Sequence, residues 1–203
     1  MQSQYVDQFF KDGSLRLSSF RLFAKHADEG RRDTTEGRNI LFGTNDKASV
    51  FMMVAMGFDC FVLCGTTSNI ESTKKDFSDC DACLVIDDTI EFANRVSFQI
   101  PYFKRGIEGP VIYSDDPSIG RSLGPASADE MLEKYKLPNG EINMDMLSDL
   151  RRRMGGPEEM FVKSGVYAHQ SEYRLLWQSS QPTSDFIDIK APDAIQFCRK
   201  MKK

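Results

Sequence analysis

Hydrophobic positions recur along this chain at two different periods, and the period changes with position. Residues 4–11 read as a short helix that packs Tyr5, Phe9 and Phe10, with Gly13 as its stop. Ser14-Leu15-Arg16-Leu17-Ser18-Ser19-Phe20 alternates like a strand, with Leu15 and Leu17 facing one way and Arg16 and Ser18 the other. Residues 40–64 hold several short apolar strands, broken at Gly43–Asp46 and at Gly57-Phe58-Asp59. Phe61–Cys64 reads as a central strand. Residues 82–87 and 95–100 are further strand candidates, joined by Asp87–Asn94, and Val111-Ile112-Tyr113 is another. Between 121 and 158 the period becomes helical. Ser127-Ala128-Asp129-Glu130 is a capping box for a helix to about Lys136, and Leu137-Pro138-Asn139-Gly140 is a turn. A second helix spans about 144–154, with Met144, Leu147, Leu150 and Met154 at core spacing and Gly155-Gly156-Pro157 as its stop. Strands return at 172–178 and 186–190. Pro192 and the lysines Lys200, Lys202 and Lys203 mark the two ends of a C-terminal helix. The pattern predicts a single α+β domain over 1–203: a mixed, mostly antiparallel sheet of short strands, a helical hairpin inserted at 121–156, and terminal helices.

Composition narrows the function classes. The chain has 203 residues, is 40% hydrophobic, and carries 10 Met and 15 Phe, which suits one sizeable and adaptable core. The net charge of -4 argues against nucleic-acid binding through bulk electrostatics. The densest basic run, Arg151-Arg152-Arg153, complements the end of a helix. No run approaches a membrane-spanning length, and Met1–Phe10 lacks the build of a secretory signal. Five cysteines without an export signal point to a reducing cytoplasm. Cys60, Cys64, Cys80 and Cys83 have chelate-like spacing. However, residues four apart in a strand sit about 13 Å apart, and Phe61–Leu63 is poor turn material, so no zinc is expected.

Two polar stretches carry candidate chemistry. Residues 21–39 are highly charged and include Arg31-Arg32-Asp33-Thr34-Thr35-Glu36-Gly37, a solvated or site-forming loop. Tyr167-Ala168-His169-Gln170-Ser171-Glu172-Tyr173-Arg174-Leu175-Leu176-Trp177 runs from polar into apolar. As a strand it places Gln170, Glu172 and Arg174 on one face, and Tyr167, His169, Tyr173 and Trp177 on the other. That makes either a small polar site or a half-exposed strand with a Glu–Arg surface pair of little energetic weight. Gly65-Thr66-Thr67-Ser68 follows the central strand and either caps a helix or touches a ligand.

Together these segments resemble the DUF2971 family of uncharacterised bacterial proteins. The likeness rests on Gly13–Phe20 followed by Arg32-Asp33-Thr34-Thr35-Glu36, on Leu63-Cys64-Gly65-Thr66, and on Lys163 followed by Gln170-Ser171-Glu172-Tyr173-Arg174, with Gln in place of the family's first Glu. One step further out, the order of Arg, hydroxyl cluster and Gln-x-Glu resembles the Arg–Ser–Glu triad of ADP-ribosyltransferases. That resemblance implies NAD as cofactor, Glu172 as the catalytic carboxylate, Gln170 selecting the acceptor, and Arg16, Ser18, Thr66, Thr67 and Ser68 contacting NAD. A carboxylate aimed at the ribose would stabilise the positive charge that develops as the glycosidic bond breaks. Three functions stand as expectations. The first is an ADP-ribosyltransferase-like toxin or phage-defence effector with a protein or nucleic-acid acceptor. The second is a non-enzymatic sensor or binding module, in which the loop at 31–37 and the Glu172–Arg174 pair form a recognition surface, with a partner protein in a defence system. The third is a metal-dependent nuclease built on Asp33, Glu36 and Glu172. The loop with Arg31, Arg32, Asp33 and Glu36 is expected to fold against Glu172 and Arg174.

Overall fold

The computed structural model describes residues 1–24, 38–44, 46, 49–55, 57, 59–68, 77, 79–116, 118–122 and 128–202. The fold is α+β, with mostly antiparallel sheets of short strands. Helix α1 (Ser3–Asp12) ends at Gly13, whose φ of 76° forms the left-handed cap and whose N–H donates to the Phe9 carbonyl at 2.7 Å. Its buried stripe is Val6 and Phe9. Tyr5, expected in the core, points outward.

The main sheet has the order β11 (Phe186–Lys190), β1 (Ser14–Ser19), β4 (Cys60–Thr66), β10 (Glu172–Ser179), β6 (Phe103–Pro110), and every pairing is antiparallel. Strand β4 is therefore central, as its apolar run predicts. Alternation splits the sheet cleanly. Leu15, Leu17, Phe61, Leu175, Trp177 and Ile189 pack one face against Phe9 of α1 and against Phe92 and Val96. Cys60, Val62 and Leu176 pack the other face under Phe20, Met160 and Phe161. Phe20 opens a short helix, α2 (Phe20–Ala24).

A second sheet pairs β2 (Arg38–Thr44) with β3 (Ser49–Ala55) antiparallel and with β8 (Ser118–Ser122) parallel. Leu41 and Ile119 on its inner face pack against Leu150 and Met154 of α5 (Asp145–Met154). The helical hairpin, α4 (Ala128–Tyr135) and α5, thus presents its second helix to this sheet. Met144 is the exposed N-cap of α5 rather than a core residue, and the Leu147 side chain lies outside the described residues. Among the described residues no helix is long and apolar enough to cross a membrane.

Two expectations are corrected. Residues 95–100 are not a strand, because α3 (Thr89–Ser97) occupies the region. The Asp88 side chain accepts the Glu91 N–H at 3.0 Å, and Phe92 and Val96 lie one turn apart on the buried face. The C-terminal segment is a 3₁₀ turn, Pro192–Phe197, and then β12 (Cys198–Lys202). β12 pairs with β5 (Ala82–Ile86), and its Arg199 and Lys200 ion-pair with Asp87 and Asp7 rather than capping a helix. Strand β6, which carries Gly106, Gly109 and Pro110, is not among the strands the pattern predicts. It forms because β10 supplies a complete antiparallel partner.

Candidate functional site

The Glu172 region is built by three segments. Strand β10 begins at Glu172, and before it a 3₁₀ turn, Gly165–Gln170, ends at Ser171 with φ 45°. The left-handed residue breaks the expected continuous strand, so Tyr167 and His169 do not share a strand face with Tyr173 and Trp177. Short strands β7 (Ile112–Tyr113) and β9 (Val162–Lys163) run parallel, with Tyr113 opposite Lys163. They bring Tyr113 and Lys163 to the start of β10.

Lys163 Nζ donates to Gln170 Oε1 at 3.0 Å and to Glu172 Oε2 at 2.7 Å. Arg174 Nε donates to Glu172 Oε1 at 2.6 Å, and its Nη1 donates to the Met160 carbonyl at 2.6 Å. The Glu172 N–H donates to the Tyr113 hydroxyl at 2.7 Å. Aromatic rings close the cluster: Phe20 lies 5.4 Å from the Arg174 guanidinium carbon and Tyr167 lies 4.7 Å from Lys163 Nζ. Exposure is 6% for Glu172, 1% for Arg174 and 8% for Lys163. The Glu–Arg pair is buried, which removes the surface-pair reading.

Burial by itself pushes the Glu172 carboxyl up. The charges of Arg174 and then Lys163, with the hydrogen bonds from both, outweigh it and hold the pKa down at about 2. Burial first, and then the Glu172 charge, raise the Tyr113 hydroxyl. Two cations, Lys163 and Arg174, face the Glu172 carboxylate. Lys163 enters the sequence pattern only as a spaced motif residue. The contact that gives it a role comes from the β7–β9 ladder, which local pattern does not show.

The expected NAD contacts fall on neighbouring strands. Thr66 is directly opposite Glu172 in the β4–β10 ladder, and Ser18 is opposite Val62, which is opposite Leu176. Counting alternate residues along β1, β4 and β10 puts Arg16, Ser18, Thr66, Glu172 and Arg174 on one face of the sheet. Arg16, Thr66 and Thr67 already use their polar groups within the fold. Arg16 makes a two-point ion pair with Asp188, 2.7 Å at each contact, and lies over Phe186. The Thr66 hydroxyl donates to the Gln170 carbonyl at 2.8 Å and the Thr67 hydroxyl to the Ser171 carbonyl at 3.2 Å. The Ser68 N–H donates to Thr66 Oγ1 at 3.1 Å. The hydroxyl cluster pins the turn before Glu172. In this arrangement Glu172 is sealed with its two oxygens held by cations, and the Thr66 and Thr67 hydroxyls serve the backbone.

Arg32, Asp33 and Glu36 lie outside the described residues, and so does their expected contact with Glu172 and Arg174. Among the described residues no group of three or more His, Cys, Asp or Glu could hold a metal ion. Strand β4 runs unbroken through Phe61–Leu63, with Cys60 buried and Cys64 exposed. Burial, then the Asp59 charge, push the Cys60 thiol up to about 12. Compared with protein-family models, with curated proteins and with solved structures, the chain matches none.

Proposed function

We propose that this protein is a non-enzymatic binding module that docks a partner protein on the outer face of the β2–β3–β8 sheet. One observation carries the reading. Phe51 is 70% exposed and Met53 is 86% exposed, although Met52 and Val54 between and beside them turn inward to the core. Phe42 is opposite Phe51 with ring centroids 4.7 Å apart, and Ile40 is opposite Met53. Four apolar side chains thus adjoin on one sheet face. A contiguous patch of this kind marks an interaction surface, whereas single exposed apolar residues do not. Among the described residues strand β3 is also a sheet edge, and Ser49–Ala55 contains no charge to discourage pairing. In this reading the Lys163–Gln170–Glu172–Arg174 cluster is a lock that holds the 157–171 segment to the main sheet. The five cysteines, none recorded in a disulfide, favour a cytoplasmic setting.

Photo-cross-linking from benzoylphenylalanine at position 53, in cells that naturally carry the protein, tests the reading. The expected result is one discrete adduct that disappears with Phe51→Asp, while the melting temperature stays within about 2 °C, as for other surface changes. Absence of an adduct, or an adduct indifferent to Phe51→Asp, contradicts it.

A second reading has its own support. Arg16, Ser18, Thr66 and Glu172 share one face of three adjacent strands, the order expected of an ADP-ribosyltransferase-like toxin or phage-defence effector that cleaves NAD. It would require the Lys163–Glu172–Arg174 cluster to open before Glu172 could meet a ribose.

A further inference from the structure

Strand β6 has β10 on one side and, among the described residues, no strand on the other. Just beyond it the Val111 N–H donates to the Glu172 carbonyl at 2.9 Å, in register with the β6–β10 pairs. Alternation from that bonded pair turns the backbone groups of Gly109, Ile107 and Arg105 towards β10. It turns those of Gly106, Glu108 and Pro110 away from β10, and Pro110 has no N–H to leave unpaired there. Among the described residues the outward N–H groups of Gly106 and Glu108 have no recorded acceptor. The stretch from Phe103 to Gly106 is exposed. Strand β6 is therefore an open edge, able to take a further strand.

A groove of about 300 Å³ runs between this edge and α3. Gly106 and Glu108 face α3, because they are opposite Trp177 and Leu175, whose side chains pack beneath that helix. Gly106 contributes no side chain, so Trp177 floors the groove, with Ala93, Asn94 and Ser97 of α3 along its far side. Ile90 and Phe103 stand exposed at its rim. The Glu108 carboxylate lies at one end and is engaged by the hydroxyls of Thr89 and Tyr173. Towards the other end Lys104 is exposed and has no acidic partner among the described residues.

We propose that β6 and this groove bind an extended segment of a partner protein, which adds antiparallel as a sixth strand of the main sheet. The outward N–H and C=O groups of Gly106 and Glu108 bond its backbone. A helix cannot serve, because its own backbone groups are bonded internally. The segment's residue opposite Gly106 projects its side chain into the groove. An aromatic ring suits that position, since a ring across from an edge glycine covers the bare backbone. Trp177 Nε1 already donates to the Ala93 carbonyl at 3.0 Å, so the indole offers its ring rather than its N–H. Two residues further along the segment, an acidic side chain meets Lys104. The preferred sequence is thus aromatic-x-acidic. This edge belongs to a different sheet from the Phe42–Phe51 face, so the two docking surfaces stand or fall separately.

Trp177 is the sole tryptophan, so its fluorescence reports the groove directly. The test titrates the full-length protein with the end-capped peptide Thr-Val-Thr-Phe-Thr-Asp-Thr, with its N-methyl-Phe form, and with a form carrying Lys for Asp. Saturable binding of the parent, about tenfold weaker for each altered form as an edge hydrogen bond or a charge contact is lost, supports the site. Gly106→Val places its Cβ in ordinary contact, 3.8 Å from the Leu176 carbonyl oxygen, and fills the groove. It is expected to weaken the parent peptide by a similar factor. The peptide comparisons use the native protein and stand even if the variant folds poorly. Equal binding of either altered form, undiminished binding to folded Gly106→Val, or no saturable response to the parent up to about 1 mM overturns the proposal. So does a dimer of the peptide-free protein through this edge that the peptide leaves intact in sedimentation.

Discussion

Glu172→Gln is expected to remove about 3–5 kcal/mol of stability, the usual consequence of deleting one partner from a buried charge pair. Lys163 Nζ and Arg174 Nε both donate to this carboxylate, at 2.7 Å and 2.6 Å. Glutamine keeps the shape but leaves two buried cations facing a neutral amide. Urea denaturation measures the loss. Replacing the three charges together by Lys163→Met, Glu172→Leu and Arg174→Met is expected to cost much less, because no desolvated charge remains. Acid titration provides a matching signature. The folded pKa of about 2 lies below the ordinary 4.5. Glu172 therefore contributes its full stabilisation above pH 4.5 and loses it as the pH falls towards 2. A depression of that size corresponds to on the order of 3 kcal/mol. In Glu172→Gln this part of the acid dependence disappears. A variant within about 0.5 kcal/mol of wild type, the range of an ordinary surface change, would show that the charge is not needed for folding.

Gly13→Ala is the second large effect, at about 3 kcal/mol or more. Gly13 has φ 76°, and a Cβ there would lie 2.3 Å from Pro192 N and 2.5 Å from the Ala191 carbonyl carbon. Both are backbone atoms, so no side-chain rotation relieves the contact. The Ala191 N–H also donates to the Gly13 carbonyl at 2.9 Å, which ties the start of β1 to the chain after β11. Left-handed backbone alone costs an alanine about 1–2 kcal/mol. Gly140→Ala separates the two contributions, since Gly140 has φ 83° and open space around its Cβ position. Thermal unfolding is expected to show a fall of roughly 10 °C for Gly13→Ala and a few degrees for Gly140→Ala. Equal falls would mean that the α1 terminus does not press on Ala191 and Pro192.

Elements with strong local signals were legible in the sequence. Leu15 and Leu17 alternate with Arg16 and Ser18 and sit as the alternation demands, and Gly13 stops α1. The hairpin period around Leu150 and Met154 also places their side chains in a core. Elements that depend on a distant partner were not legible. Strand β6 is held by β10, β12 by β5, and both have sequences that are poor in strand signals. In α3 the cap at Asp88 was readable, but the apolar content of 95–100 outweighed it. The candidate site followed the same rule. Glu172 and Arg174 stood out as a pair, yet their burial comes from Phe20, Met160 and Lys163, which tertiary structure alone brings there. Ser171 in the left-handed region then displaced Gln170 from the strand and returned its amide to Lys163.

Incubation with NAD labelled on its adenylate, for the purified protein alone and with cell lysate, tests most directly whether Glu172 is a structural charge or a catalytic one. Wild type and Glu172→Gln are compared at a temperature where both remain folded. A structural Glu172 gives no protein- or nucleic-acid-bound label in wild type beyond that of the variant, and no added nicotinamide release. Label transferred by wild type and lost in the folded variant would contradict the lock and restore the transferase reading.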